Sequence, residues 1–101
     1  MNNQELVKRM LAEYLGMVEI AKNKNADYSK DGDAFANFKA CQMLGIDPKI
    51  GFLVRMTDKL MRVSNLITKE AQVKDESIYD TLRDLANYSI LLKLYIEYEK
   101  K

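Results

Sequence analysis

The sequence predicts an all-α protein, with three long helices and one short helix in a single domain over residues 1–101. Three observations carry this. Apolar residues recur at i, i+3, i+4 spacing along three stretches of about twenty residues each. No stretch of useful length alternates apolar and polar residues, as a half-buried strand would. The one proline, Pro48, stands where a helix begins rather than inside one.

Leu6, Val7, Met10, Leu11, Tyr14, Met17, Val18 and Ala21 form one amphipathic stripe, so a first helix is expected from about residue 4 to about residue 23. KNKNADYSKDGDAF, rich in Asn, Asp, Ser and Gly, reads as a loop. A short helix near 33–44 follows, with Asp33 as N-cap, Phe35, Phe38 and Leu44 facing inward, and Gly45 as its stop. Asp47-Pro48 reads as an N-cap with proline at the first helical position. A long helix then runs to about Thr68. TKEAQVK is a polar connector, and Asp75 or its neighbour caps a last helix that reaches nearly to the end.

Composition bounds the function. Of the 101 residues 48% are hydrophobic and 31% charged, the balance of a soluble globular domain. A net charge of +1 supplies no field for non-specific nucleic-acid or membrane-surface binding. Histidine is absent, which removes Ser-His and Cys-His nucleophiles and His-containing zinc sites. The one cysteine, Cys41, permits no internal disulfide, and it reads as a packing residue. MNNQELVKRM lacks an apolar signal region and no run is long enough to span a bilayer. An intracellular, soluble chain is expected.

Two helices carry unusual faces. Ile50, Leu53, Thr57, Leu60, Met61, Ser64 and Ile67 define the expected inward face of the third helix, widened by Phe52, Met56 and Val63. A narrow polar strip of Arg55, Asp58, Lys59, Arg62 and Asn65 remains, and it is expected in a cleft or interface. On the last helix Ile78, Leu82, Leu85, Ser89, Leu92 and Ile96 form the expected inward stripe. The opposite stripe begins with Glu76, Asp80, Arg83, Asp84 and Asn87 and continues as Leu91, Leu94, Tyr95 and Tyr98. A face that turns apolar halfway is expected to pack against another helix or another chain.

Glu76, Asp80 and Asp84 stack three carboxylates at i, i+4 and i+8, which costs a helix a few tenths of a kcal/mol per pair. They can hold Mg²⁺, or they can face the cations Arg55, Lys59 and Arg62 across two antiparallel helices. The second arrangement also readies the arginine forks for phosphate. Asp27, Asp31, Gly32 and Asp33 suggest a calcium loop, but Phe38 then falls where a bidentate Glu is required, so calcium is rejected.

KNADY (24–28), AFANFKACQMLGI (34–46), LVRMTDKLMRVSNLI (53–67) and KDESIYDTLRDLANYSILL (74–92) together resemble the nucleotide-modification-associated domain family. These are small all-α proteins found mostly in phages and prophages. The shared K-x-x-D-Y, R-x-x-D-K-x-x-R and E-x-x-x-D-T-x-x-D-L-A-N-Y motifs put Lys24, Asp27, Tyr28, Asn87 and Tyr88 beside Arg55, Asp58, Lys59, Arg62, Asp80 and Asp84 as the ligand-binding set. Tyr28 or Tyr88 is the expected stacking ring. A wider resemblance, to MazG-type NTP pyrophosphohydrolases, implies a helical bundle completed by oligomerisation and Mg²⁺ held by four acids. This chain has Asp58-Lys59 and Arg62 in place of the first acidic pair, and cations beside a multi-carboxylate site weaken metal binding.

The leading expectation is a homo-oligomeric phage protein in the cytoplasm of an infected bacterium. It holds a small phosphorylated nucleotide, such as a cyclic signalling nucleotide, without hydrolysis or cofactor, and so sequesters a host-defence signal like a sponge. The first alternative is a Mg²⁺-dependent (d)NTP pyrophosphohydrolase using Glu76, Asp80 and Asp84 as metal ligands. The second is an oligomeric scaffold with no small ligand.

Overall fold

A computed structural model describes residues 1–28, 35–68 and 78–100, with residues 24–28 described by backbone alone. All regular structure among them is helical: α1 Asn3–Tyr28, α2 Ala36–Lys39 leading into a 3₁₀ helix Ala40–Leu44, α3 Pro48–Thr68 and α4 Ile78–Glu99. The all-α fold expected from the sequence is the one observed. No helix among the described residues is long and apolar enough to cross a membrane. Two compact units are present, Met1–Ala36 and Asn37–Lys101.

The first unit is built on α1. Asn2 caps it: the Glu5 backbone N–H donates to Asn2 Oδ1 at 2.9 Å, and Asn2 Nδ2 donates back to Glu5 Oε1 at 3.3 Å. The first bond is an N-cap, and the second ties the Glu5 carboxylate to the capping side chain. The helix runs to Tyr28, through KNKNADY, which the composition had assigned to a loop. Asn and Asp disfavour helix interiors by only a few tenths of a kcal/mol each, too little to stop a helix of this length.

In the second unit the expected punctuation is present. Gly45 closes the 3₁₀ helix at φ 73°, a left-handed conformation that glycine adopts without strain. Its N–H donates to Gln42 O at 3.0 Å, and Ile46 N–H to Cys41 O at 3.1 Å. Asp47 then caps α3, its Oδ1 accepting from Lys49 N–H at 2.9 Å, with Pro48 in the first turn. Asp33, Asp75 and the connector 69–77 lie outside the described residues.

α3 and α4 form an antiparallel hairpin. Lys49 meets Glu99 at 3.1 Å, Phe52 meets Tyr95 with ring centroids 5.9 Å apart, and Lys59 meets Asp84 at 3.2 Å. Partners advance along one helix as they retreat along the other. Phe52 is fully buried, with Val63, Leu66, Thr81 and Tyr95 almost so. Phe38, from α2, stacks on Phe52 at 3.8 Å and meets Tyr88 edge-on at 6.1 Å, and Lys39 Nζ sits 5.1 Å above the Tyr98 ring. Phe38 is therefore core, as expected of its spacing.

The buried lines differ from those the sequence suggested. On α3 the interior is Phe52, Val63 and Leu66, while Ile50, Leu53, Leu60, Met61 and Ile67 are exposed. On α4 the interior runs through Thr81, Tyr88 and Tyr95, between the two proposed stripes, and Leu82 and Ile96 are exposed. Both helices are apolar on more than one side, and a hairpin buries only one. The aromatic side won because Phe52, Phe38, Tyr88 and Tyr95 bury the largest rings against one another.

Close approach of the 3₁₀ helix to α3 depends on Gly51, where a Cβ would lie 2.8 Å from Cys41 Sγ. Alanine in a helix interior gains about 1 kcal/mol over glycine, but overpacking costs about 1–3 kcal/mol. Gly51→Ala is expected to lower stability by about 1 kcal/mol in the native chain. In a Cys41→Ala background the same change should raise it by up to about 1 kcal/mol. A double-mutant cycle from urea unfolding checks this, and additive values would refute the contact.

Burial, helped by a side-chain hydrogen bond to Glu99, pushes the Tyr95 phenol above its ordinary value of 10.0. The Lys49 ammonium is raised above 10.5 by its hydrogen bond to Glu99 and by the charges of Asp47 and Glu99. A pKa higher in the folded state stabilises the fold below the unfolded value, and that contribution disappears as pH rises through the folded value. Stability should therefore fall above about pH 10. Tyr95→Phe, which cannot ionise, should show a shallower alkaline loss in urea midpoints; identical slopes would refute the assignment.

Candidate functional site

The hairpin sorts its charged and apolar residues onto different sides. At about 100° per residue, Arg55, Asp58 and Arg62 lie about a quarter turn from the buried line of α3. Asp80, Arg83 and Asn87 lie roughly a quarter turn or more, in the same rotational sense, from the buried line of α4. In an antiparallel pair the same sense points to the same side, so the two strips share one face. The 3₁₀ helix lies on that face too, since Cys41 faces Gly51 and Lys39 covers Tyr98. It closes the end formed by the start of α3 and the end of α4.

Lys59 and Asp84 bridge the two strips, with Nζ 3.2 Å from Oδ2 and side chains 26% and 39% exposed. A pair this open is worth about 0.2–1 kcal/mol. Its structural consequence is larger than its energy: it fixes an ammonium between the exposed arginines of α3 and the acids of α4. Arg55, Asp58, Arg62 and Asp80 are exposed, while Asn87 and Tyr88 are half-buried. Tyr88 offers less of its ring than an open platform would, because one side is engaged by Phe38.

Seven of the expected ligand-binding residues thus fall on or beside one hairpin face: Arg55, Asp58, Lys59, Arg62, Asp80, Asp84 and Asn87. Tyr88 sits at its aromatic floor. Lys24, Asp27 and Tyr28 belong to the last turns of α1, and their side chains lie outside what is described. Glu76 also lies outside the described residues, so the Glu76–Asp80–Asp84 metal set is not placed. Among the described residues, no three Cys, Asp or Glu side chains come together as metal ligands.

Arg83, outside the expected set, lies on the same strip. It is half-buried, with its Nε buried, in the middle of the acidic strip of α4. A guanidinium between Asp80 and Asp84 in sequence was the available signal, because a cation there offsets the like-charge stacking of the acids. The face can therefore offer forked and point-charge donors to an anion, with acceptors alternating between them.

Comparison with known proteins agrees with the motifs. Residues 24–95 match the family described as nucleotide modification associated domain 1. No curated protein and no solved structure matches. The matched segment contains the α2–α3–α4 unit up to Tyr95 and both charged strips, and on that match the chain belongs to the nucleotide modification associated domain 1 family.

Proposed function

We propose that this protein binds a small phosphorylated nucleotide on the charged face of the α3–α4 hairpin and holds it without hydrolysis. The observation that carries the reading is the Lys59–Asp84 pair, which turns an acid of the carboxylate ladder toward a cation rather than leaving it for a metal. Arg55 and Arg62, one on each side of Lys59, supply forks for phosphate oxygens. Asp80 and Asn87, on the same face, offer acceptors for base or ribose donors. The family description, which mentions nucleotide modification, fits such a ligand.

On this reading the protein acts as a homo-oligomeric sponge. In a phage it would withdraw a signalling nucleotide, cyclic or linear, from host defence. No step of bond cleavage is assigned to any residue. Hydrolysis by a Mg²⁺ site is the competing outcome of the same experiment.

A panel of linear and cyclic nucleotides, incubated with the protein with and without Mg²⁺, separates the outcomes. Stoichiometric depletion that reverses on denaturation, unaffected by chelator, is expected. Time-dependent appearance of mono- or diphosphate products would overturn the reading in favour of the enzyme. Arg62→Ala should weaken binding at least tenfold, since a hydrogen bond to a charged group contributes about 1.5–3 kcal/mol. Asp84→Asn should weaken it less and cost under about 1 kcal/mol of stability. If Asp84→Asn proves the more damaging, the acid is a ligand and not a counter-charge.

A further inference from the structure

We propose, on the nucleotide reading above, that the charged face takes a single phosphodiester and not a polyphosphate. A cyclic mononucleotide and a dinucleoside monophosphate both have that chemistry. Four cations, Arg55, Lys59, Arg62 and Arg83, share the face with three acids, Asp58, Asp80 and Asp84. One positive charge is left over among these described residues. Arg83 counts whatever it touches, because a guanidinium keeps its proton in proteins. A phosphodiester carries one negative charge. A terminal phosphate carries about 1.5–2 at neutral pH, and a triphosphate carries more again. The diester brings the face to neutrality, whereas the triphosphate leaves it strongly negative. Mg²⁺, which would lower the charge of a triphosphate, is itself repelled by four neighbouring cations.

The positions of the acids favour the same ligand. Arg55 and Arg62 stand seven residues apart on α3, about 10 Å along its axis. Asp58 lies between them, and all three residues are exposed. A polyphosphate stretched to reach both forks passes this carboxylate, and like charges repel. A single phosphate needs one fork and Lys59, one turn away, and does not cross Asp58. The α4 side is graded in the same way. One turn from the Lys59–Asp84 bridge toward the end of α3 reaches Arg62, and the matching turn of α4 holds Asp80. One turn in the other direction reaches Arg55, and there α4 presents the neutral Asn87 and Tyr88. At that end α4 has no cation for a second or third phosphate. It has only groups that suit an uncharged nucleoside.

Equilibrium dialysis of the full chain, at low salt and with chelator, tests this. The probes are the 3′,5′-cyclic monophosphate, the dinucleoside monophosphate, the 5′-monophosphate and the 5′-triphosphate of each common base. One of the two diesters is expected to bind about tenfold more tightly than the 5′-monophosphate and 5′-triphosphate of the same base. Whichever diester wins identifies the source of the linkage. Asp58→Asn removes a charge at an exposed position without changing its size, so helicity should hold. It should raise the ratio of triphosphate to diester affinity by about threefold or more. Should helicity be lost, Asp80→Asn decides by the same ratio. A triphosphate or monophosphate bound as tightly as either diester overturns the inference and leaves the nucleotide reading standing. An unchanged ratio in a folded variant overturns it too. Failure of every probe overturns both, so the two failures are distinguishable.

Discussion

Phe52 is the residue on which the second unit depends. Its ring is fully buried between Phe38 on one side and Tyr95 on the other, joining the segment before α3, α3 itself and α4. Truncating such a ring to alanine typically costs about 3–5 kcal/mol, a large fraction of the total stability of a small domain. The position of the short 3₁₀ helix follows from the same contact. Phe38 draws it over the hairpin, Gly51 lets it come close, and Gly45 turns the chain back into α3. The face that the 3₁₀ helix closes at one end is the face that carries the charged strips.

On that face cations and acids alternate across the two helices. A carboxylate ladder alone would repel itself and attract a hard divalent ion. The structure instead sets a lysine of α3 against Asp84, and an arginine of α4 within the ladder. Each cation placed near the acids lowers their combined pull on a metal and lowers their mutual repulsion at once. The ladder and the basic strip are two halves of one arrangement, and neither is interpretable from its own helix.

How much of this was legible in the sequence follows from which interactions are local. The Gly45 stop, the Asp47-Pro48 start and the extent of α3 were readable because caps are decided within four residues. The Asn2 cap, with Glu5 three residues on, is equally local. The end of α1 was misjudged because Asn and Asp weaken a helix without terminating it. The inward faces of α3 and α4 were not readable, since periodicity identifies an apolar side and cannot rank two of them. That ranking came from Phe52 finding Tyr95, a pairing between residues far apart in the chain. Arg83 was legible as a cation within the acidic stripe of α4, and its half-burial, set by tertiary packing, was not.

An α3 that is apolar on two sides is a poor component for a hairpin alone. A surface helix presents one apolar stripe and a broad solvated face, and this one has its buried aromatic line, a second stripe well round the helix, and only a narrow charged flank between them. The flank must then do two things. It must stay accessible if it binds a ligand, and it must keep its charges hydrated, because desolvated cations would cost far more than the Lys59–Asp84 pair returns. Both are met while that flank faces solvent. Every Arg, Lys, Asp and Asn of the motifs on these helices falls on one side of the hairpin or across its contact line, while Lys49 and Lys93 interrupt the apolar side. The motif charges are gathered on one face, and the other is mainly apolar and exposed.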